Sequence, residues 1–116
     1  MNEEQLTTVF SALADPTRRA ILARLAKGDA SVSELAEPFG LRQPTISKHL
    51  RILEEAGFIQ QGREAQRRPR SLVVGGPLKD LDLWLRPFRE QWDRRLDRLG
   101  TFLDRKNKKA TKGENQ

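Results

Sequence analysis

The side chains best equipped for chemistry lie in one short run, QPTISKHLRILEEAG, residues 43–57. Ile46, Leu50 and Leu53 recur at i, i+4 and i+7, so one helical face is fit for burial. Plotted at about 100° per residue, Pro44, Ser47, Lys48 and Arg51 gather on the opposite side, with Gln43 and His49 at its flanks. An amide, hydroxyls and two cations, with no acid in the first two turns, suit hydrogen-bonded recognition of an anion rather than bond-making. The acid pairs Glu54–Glu55 and Asp80/Asp82 resemble catalytic carboxylates only in number. Nothing in the sequence sets a nucleophile, a base and a pocket beside them, so they read as solvated faces. Cysteine is absent and histidine occurs once, as His49. That excludes disulfides, thiolate chemistry and a tetrahedral zinc site built from the usual ligands. With no glycine-rich phosphate loop either, the reading is that the chain is not an enzyme and implies no cofactor and no metal.

Elements must hold that face in place, and 116 residues allow one small domain with a modest core. The composition, 36% hydrophobic and 33% charged, is that of a chain with a polar surface. It contains no run of about 18 apolar residues and no signal-peptide pattern, so a cytoplasmic protein without membrane contact is expected. A formal charge of +6 favours an acidic partner, of which nucleic acid is the commonest.

Helical signals fill the first half. Leu6, Val9, Phe10 and Leu13 make one amphipathic stripe behind a capping Asn2. Asp15-Pro16 restarts the chain as N-cap and first helical residue, with Ile21, Leu22 and Leu25 to be buried and Gly28 to end the turn. Ser31-Val32-Ser33-Glu34 is a capping box opening a helix that Pro38 keeps short. Phe39-Gly40-Leu41 then turns into the run above, where Gln43 is expected to cap and Pro44 to take the first helical position. Residues 58–63 and 70–74 are strand-like and flank a basic tip carrying Arg63, Arg67, Arg68 and Arg70. From Pro77 a long helix follows whose apolar residues, Leu78, Leu81, Leu85, Phe88, Trp92, Leu96, Leu99 and Leu103, step by three or four. Pro87 inside it predicts a kink with helix on both sides. Residues 105–116 are polar and predict a disordered basic tail, leaving residues 1–104 as the folded domain.

The order α-α-α-α-β-β-α is mainly α with a small β-hairpin, and a short helix turning into a helix with a polar outer face is a helix-turn-helix carrying a wing. Such a face suits the major groove of double-stranded DNA, and the arginine hairpin suits phosphates or a minor groove. His49 borders the apolar stripe, so internal packing and phosphate contact both remain open for it. The basic hairpin taken alone could be a solvated loop, and Trp84, Phe88 and Trp92 read as core or dimer contacts. A winged-helix protein-interaction module is the alternative, since fold does not dictate function. The cations gathered on one side argue against it.

The run FSALADPTRRAILARLAKGDASVSELAEPFGLRQPTISKHLRILEEAGFI resembles the ArsR/SmtB family of winged-helix bacterial regulators, above all in ALADPTRRAIL, SELA and TISKHLRILEEAG. The resemblance implies a homodimeric repressor, paired through its first and last helices, that leaves its operator when a small-molecule or protein effector arrives. It places Gln43, Thr45, Ser47 and His49 at positions that touch DNA in relatives. The candidate DNA-binding set is thus Gln43, Pro44, Thr45, Ser47, Lys48, His49, Arg51, Arg63, Arg67, Arg68 and Arg70. The candidate dimer set is Leu6, Val9, Phe10, Leu85, Phe88, Trp92, Leu96 and Leu99. Ser31-Val32-Ser33 stands where metal-sensing members carry a Cys-x-Cys pair, which implies the branch that does not sense metals.

Overall fold

The computed structural model describes residues 1–63 and 68–114, with side chains through residue 107. Helix α1, Glu3–Leu13, opens on a capping box: Asn2 Oδ1 accepts the Gln5 N–H at 2.7 Å, and Gln5 Oε1 accepts the Asn2 N–H at 3.0 Å. Helix α2, Pro16–Leu25, starts on Asp15, whose Oδ2 accepts the Arg18 N–H at 3.0 Å. The last turn of α1 carries no cation of its own, and α2 supplies them. Arg18 Nε donates to Ala12 O at 2.7 Å, Arg18 Nη2 to Ser11 O at 3.1 Å and Arg19 Nη1 to Leu13 O at 2.7 Å, satisfying carbonyls at the negative end of the helix.

Helix α3, Val32–Ala36, is capped by Ser31 and runs into a 3-10 turn at Glu37–Phe39, as Pro38 requires. Gly40 closes that turn at φ 61°, a left-handed conformation that would cost a residue with a Cβ about 1–2 kcal/mol. The chain is thereby aimed into α4, Gln43–Glu55. Helix α4 ends in a Schellman motif: Phe58 N–H reaches Leu53 O and Gly57 N–H reaches Glu54 O, each at 3.0 Å, with Gly57 at φ 85°. The apolar contact that accompanies such a motif is made by Leu53 and Phe58, both fully buried.

Strands β1, Ile59–Gln61, and β2, Arg70–Leu72, pair antiparallel with Ile59 opposite Leu72 and Gln61 opposite Arg70. They are shorter than the stretches predicted. Arg70 also exchanges both backbone hydrogen bonds with Ala30, at 2.8 and 3.1 Å, which fastens the hairpin to the segment ahead of α3. Helix α5, Pro77–Glu114, runs through Pro87 with helix on both sides, so the Leu83 carbonyl loses its usual N–H partner without ending the helix. No break marks residue 105, where the sequence predicts disorder. Extending a nucleated helix adds one hydrogen bond per residue fixed, and Lys and Ala oppose this little.

The chain divides into two compact units, residues 1–81 and 82–116. The first holds the core: Val9 and Ala12 of α1, Ile21, Leu22 and Leu25 of α2, Leu35 and Ala36 of α3, Ile46, Leu50 and Leu53 of α4, with Ala30, Phe58 and Ile59. The second is the remainder of α5, on which the rings of Trp84 and Phe88 meet at a tilt of 44° with centroids 5.0 Å apart.

Candidate nucleic-acid interface

Burial of one stripe fixes what α4 shows outward. Ile46, Leu50 and Leu53 are at most 1% exposed, whereas Gln43, Pro44, Thr45, Ser47, Lys48 and Arg51 are all exposed. The helix begins one residue earlier than the sequence predicts. Arg42 is the N-cap, in extended conformation, and its carbonyl accepts the N–H groups of Thr45 and Ile46 at 3.0 and 3.2 Å. Gln43 is therefore the first helical residue and Pro44 the second. Freed from capping, the Gln43 side chain donates from Nε2 to Ser33 Oγ at 2.9 Å and ties α4 to α3. No side chain caps α4 and no acid sits in its first turn, so no side-chain charge offsets its positive end.

The wing adds exposed cations at Arg63 and Arg68, the latter at φ 36°. Arg67 lies outside the described residues. Arg70 leaves the predicted set: it is 9% exposed, its Nε donates to Glu54 Oε1 at 2.8 Å and its Nη1 to the Arg68 carbonyl. Its position in β2 opposite Gln61 turns it inward over α4, where its charge is paired with Glu54. Glu54 is correspondingly half-buried rather than a solvated acid, and it also accepts from Gln61 Nε2 at 3.2 Å.

His49 is drawn toward α2. Its Nδ1 lies 3.3 Å from Arg18 Nη1 and 3.9 Å from Asp15 Oδ2, with its side chain 19% exposed. The Asp15 carboxyl is held below the ordinary carboxylate value, first by the Arg18 N–H that it caps and further by the charges of His49 and Arg18. Arg18 has no place among the residues expected from the sequence. Thirty-one positions separate it from His49, and no local pattern marks the contact.

Of the dimer set, Val9 is corrected: it is 4% exposed and belongs to the core, because the face of α1 that also buries Ala12 turns inward at this position. Leu6 and Leu85 are half-buried; Phe10, Phe88, Trp92, Leu96 and Leu99 are exposed. A cavity of about 390 Å³ lies among α1, the end of α4 and the start of α5, lined by Glu4, Val9, Glu55, Pro77 and Asp80 among others. Its carboxylates repel a polyanion, and none of the outward residues Gln43, Pro44, Thr45, Ser47, Lys48 and Arg51 lines it. Among the described residues no group of three or more His, Cys, Asp or Glu could hold a metal ion, and no helix is long and apolar enough to cross a membrane.

A buried-stripe helix set by a tight turn, presenting hydroxyls, an amide and cations beside a cation-bearing hairpin, defines a winged helix-turn-helix protein of the DNA-binding class. Residues 13–61 match a helix-turn-helix domain family model. The chain is 44% identical over 61 residues to the transcriptional repressor SdpR of Bacillus subtilis, covering 53% of this chain and 68% of that one. It superimposes on the crystal structure of an ArsR family transcriptional regulator, RHA00566, with a TM-score of 0.68 at 42% identity, over 77% of this chain and 97% of that one. The homodimeric winged helix-turn-helix DNA-binding domain Mb0332 of Mycobacterium bovis, a fragment, gives a TM-score of 0.60 at 27% identity, over 80% and 82%. The chain belongs to the ArsR family of winged helix-turn-helix transcriptional regulators. It spans from 47% to 68% of the length of the first curated relatives that it matches.

Proposed function

We propose that this protein is a homodimeric, sequence-specific repressor that lays α4 in the major groove of its operator and its wing on the adjacent backbone, in the cytoplasm where the chromosome lies. The observation that carries the reading is the division of α4: its apolar stripe is sealed in the core while Gln43, Thr45, Ser47, Lys48 and Arg51 face outward from an uncapped, acid-free N-terminus. Gln43 and Ser47 hydrogen-bond base edges; Lys48, Arg51, Arg63 and Arg68 meet phosphates. The names of relatives, a repressor in SdpR and a homodimer in Mb0332, support repression and pairing. Pairing is further supported by the apolar surface that α5 leaves open in one chain, with Trp92 at 54% and Leu96 at 63% exposure.

The two kinds of contact fail differently, which provides the test. Ser47→Ala should weaken operator binding by about 1–3 kcal/mol while barely changing random-duplex binding. Arg63→Ala with Arg68→Ala should weaken both and flatten the salt dependence by about one to two units per chain. If the wing pair affects only the operator with an unchanged salt slope, the division into base-edge and phosphate contacts is wrong.

A further inference from the structure

The lone histidine stands where α2 meets α4, and the geometry around it fixes which ring nitrogen carries the proton. Arg18 Nη1 lies 3.3 Å from His49 Nδ1. A guanidinium only donates, so Nδ1 must accept, and the neutral ring keeps its proton on Nε2. The competing arrangement, Nδ1–H donated to Asp15 Oδ2, would have to span 3.9 Å, beyond hydrogen-bond reach. That oxygen already accepts the Arg18 N–H at 3.0 Å. Arg18 is itself anchored, because its Nε and Nη2 hold the carbonyls of Ala12 and Ser11 at 2.7 and 3.1 Å. At its other end the ring differs: Nε2 has no partner among the described residues, yet no buried side-chain nitrogen or oxygen is left unpaired. Solvent therefore reaches Nε2, at the flank of the exposed face of α4.

We infer that Arg18 is a positioning residue that holds His49 as an Nε2–H donor for a backbone phosphate oxygen of bound DNA. The inference rests on the reading of α4 as the DNA-contacting helix. A phosphate is the fitting acceptor because His49 lies half-buried at the flank of the outward face of α4 rather than on it, and offers a single fixed donor to a group that only accepts. The α1–α2 corner and the DNA-facing helix are thereby linked through one guanidinium.

Because the chain has one histidine, a long-range proton–nitrogen NMR spectrum of the 15N-labelled full chain reports this ring alone. In mildly alkaline buffer the expected signature is a bare Nδ1 and a protonated Nε2. Arg18→Met should raise the Nδ1–H fraction, since Asp15 then has no rival for that nitrogen. A wild-type ring protonated mainly at Nδ1 would overturn the inference. On DNA, Asn reproduces the acceptor near Nδ1 and Gln the donor near Nε2. His49→Asn should lose about tenfold in operator affinity, the value of one hydrogen bond to a charged acceptor, and His49→Gln less than about threefold. Equal operator affinities for the two variants would overturn the donor role alone. Failure of the wild-type protein to bind any operator would overturn the DNA reading and this role with it.

Discussion

Replacing Arg70 by Met keeps the unbranched apolar stem of the side chain and removes the guanidinium, with its charge and its donors. The Arg70 side chain is 11% exposed and that of Glu54 25%, with Nε and Oε1 2.8 Å apart. Truncating one partner of a fully buried pair costs about 3–5 kcal/mol, and a single charged hydrogen bond is worth about 1.5–3 kcal/mol. Glu54 can rehydrate in part and keeps its bond from Gln61, so the lower range applies and a loss of about 2 kcal/mol is expected. Urea unfolding of the wild type, Arg70→Met, Glu54→Leu and the double variant would measure it. The double variant should regain at least half of the loss, because the uncompensated carboxylate, rather than the missing contact, is the main cost. The salt slope of DNA binding should stay as in the wild type. Unchanged stability together with a slope reduced by about one unit per chain would refute this account and return Arg70 to the phosphate-binding set.

Other consequences are equally open to measurement. The folded Asp15 carboxyl titrates below its ordinary value of 3.8, so its contribution to stability is present above that value and is lost as pH falls through the folded pKa. Asp15→Asn, which keeps the capping oxygen but not the charge, should unfold with less dependence on pH in that acid range, and equal acid sensitivity would contradict the assignment. Equilibrium sedimentation at micromolar concentration should show twice the 13.3 kDa chain, reverting to one chain in Leu96→Glu; a wild-type monomer would refute pairing through α5. DNA affinity should be indifferent to stoichiometric zinc, cadmium or arsenite, since the chain has no cysteine and one histidine, and one tightly bound zinc per chain would contradict this.

What the sequence made legible was local. Asn2, Asp15-Pro16, Ser31 and Gly40 act within a few residues of themselves, and each sits where its own chemistry puts it. The alternation of buried and exposed positions on α4 follows from its period alone. Errors came where a distant partner decides. Arg70 carries the same charge as Arg68, but only its pairing with Ala30 and its register opposite Gln61 bring it against Glu54. Val9 and Phe10 are adjacent in one stripe, yet the core takes in the first and leaves the second exposed. Arg18 carries no pattern that points to His49, since its three partners come from two other helices. The start of α4 shifted by one because the Arg42 carbonyl, a backbone group invisible to residue type, takes the first helical bonds.

The most direct test of the central claim is selection by the wild-type protein from a pool of duplexes with randomised sequence, at near-physiological salt. Enrichment is expected of an inverted repeat whose half-sites lie about 10 base pairs apart, one helical turn, as two α4 helices of a symmetric dimer require. A pool that is bound but emerges with no enriched sequence would contradict it, because the outward face of α4 would then be meeting phosphates alone.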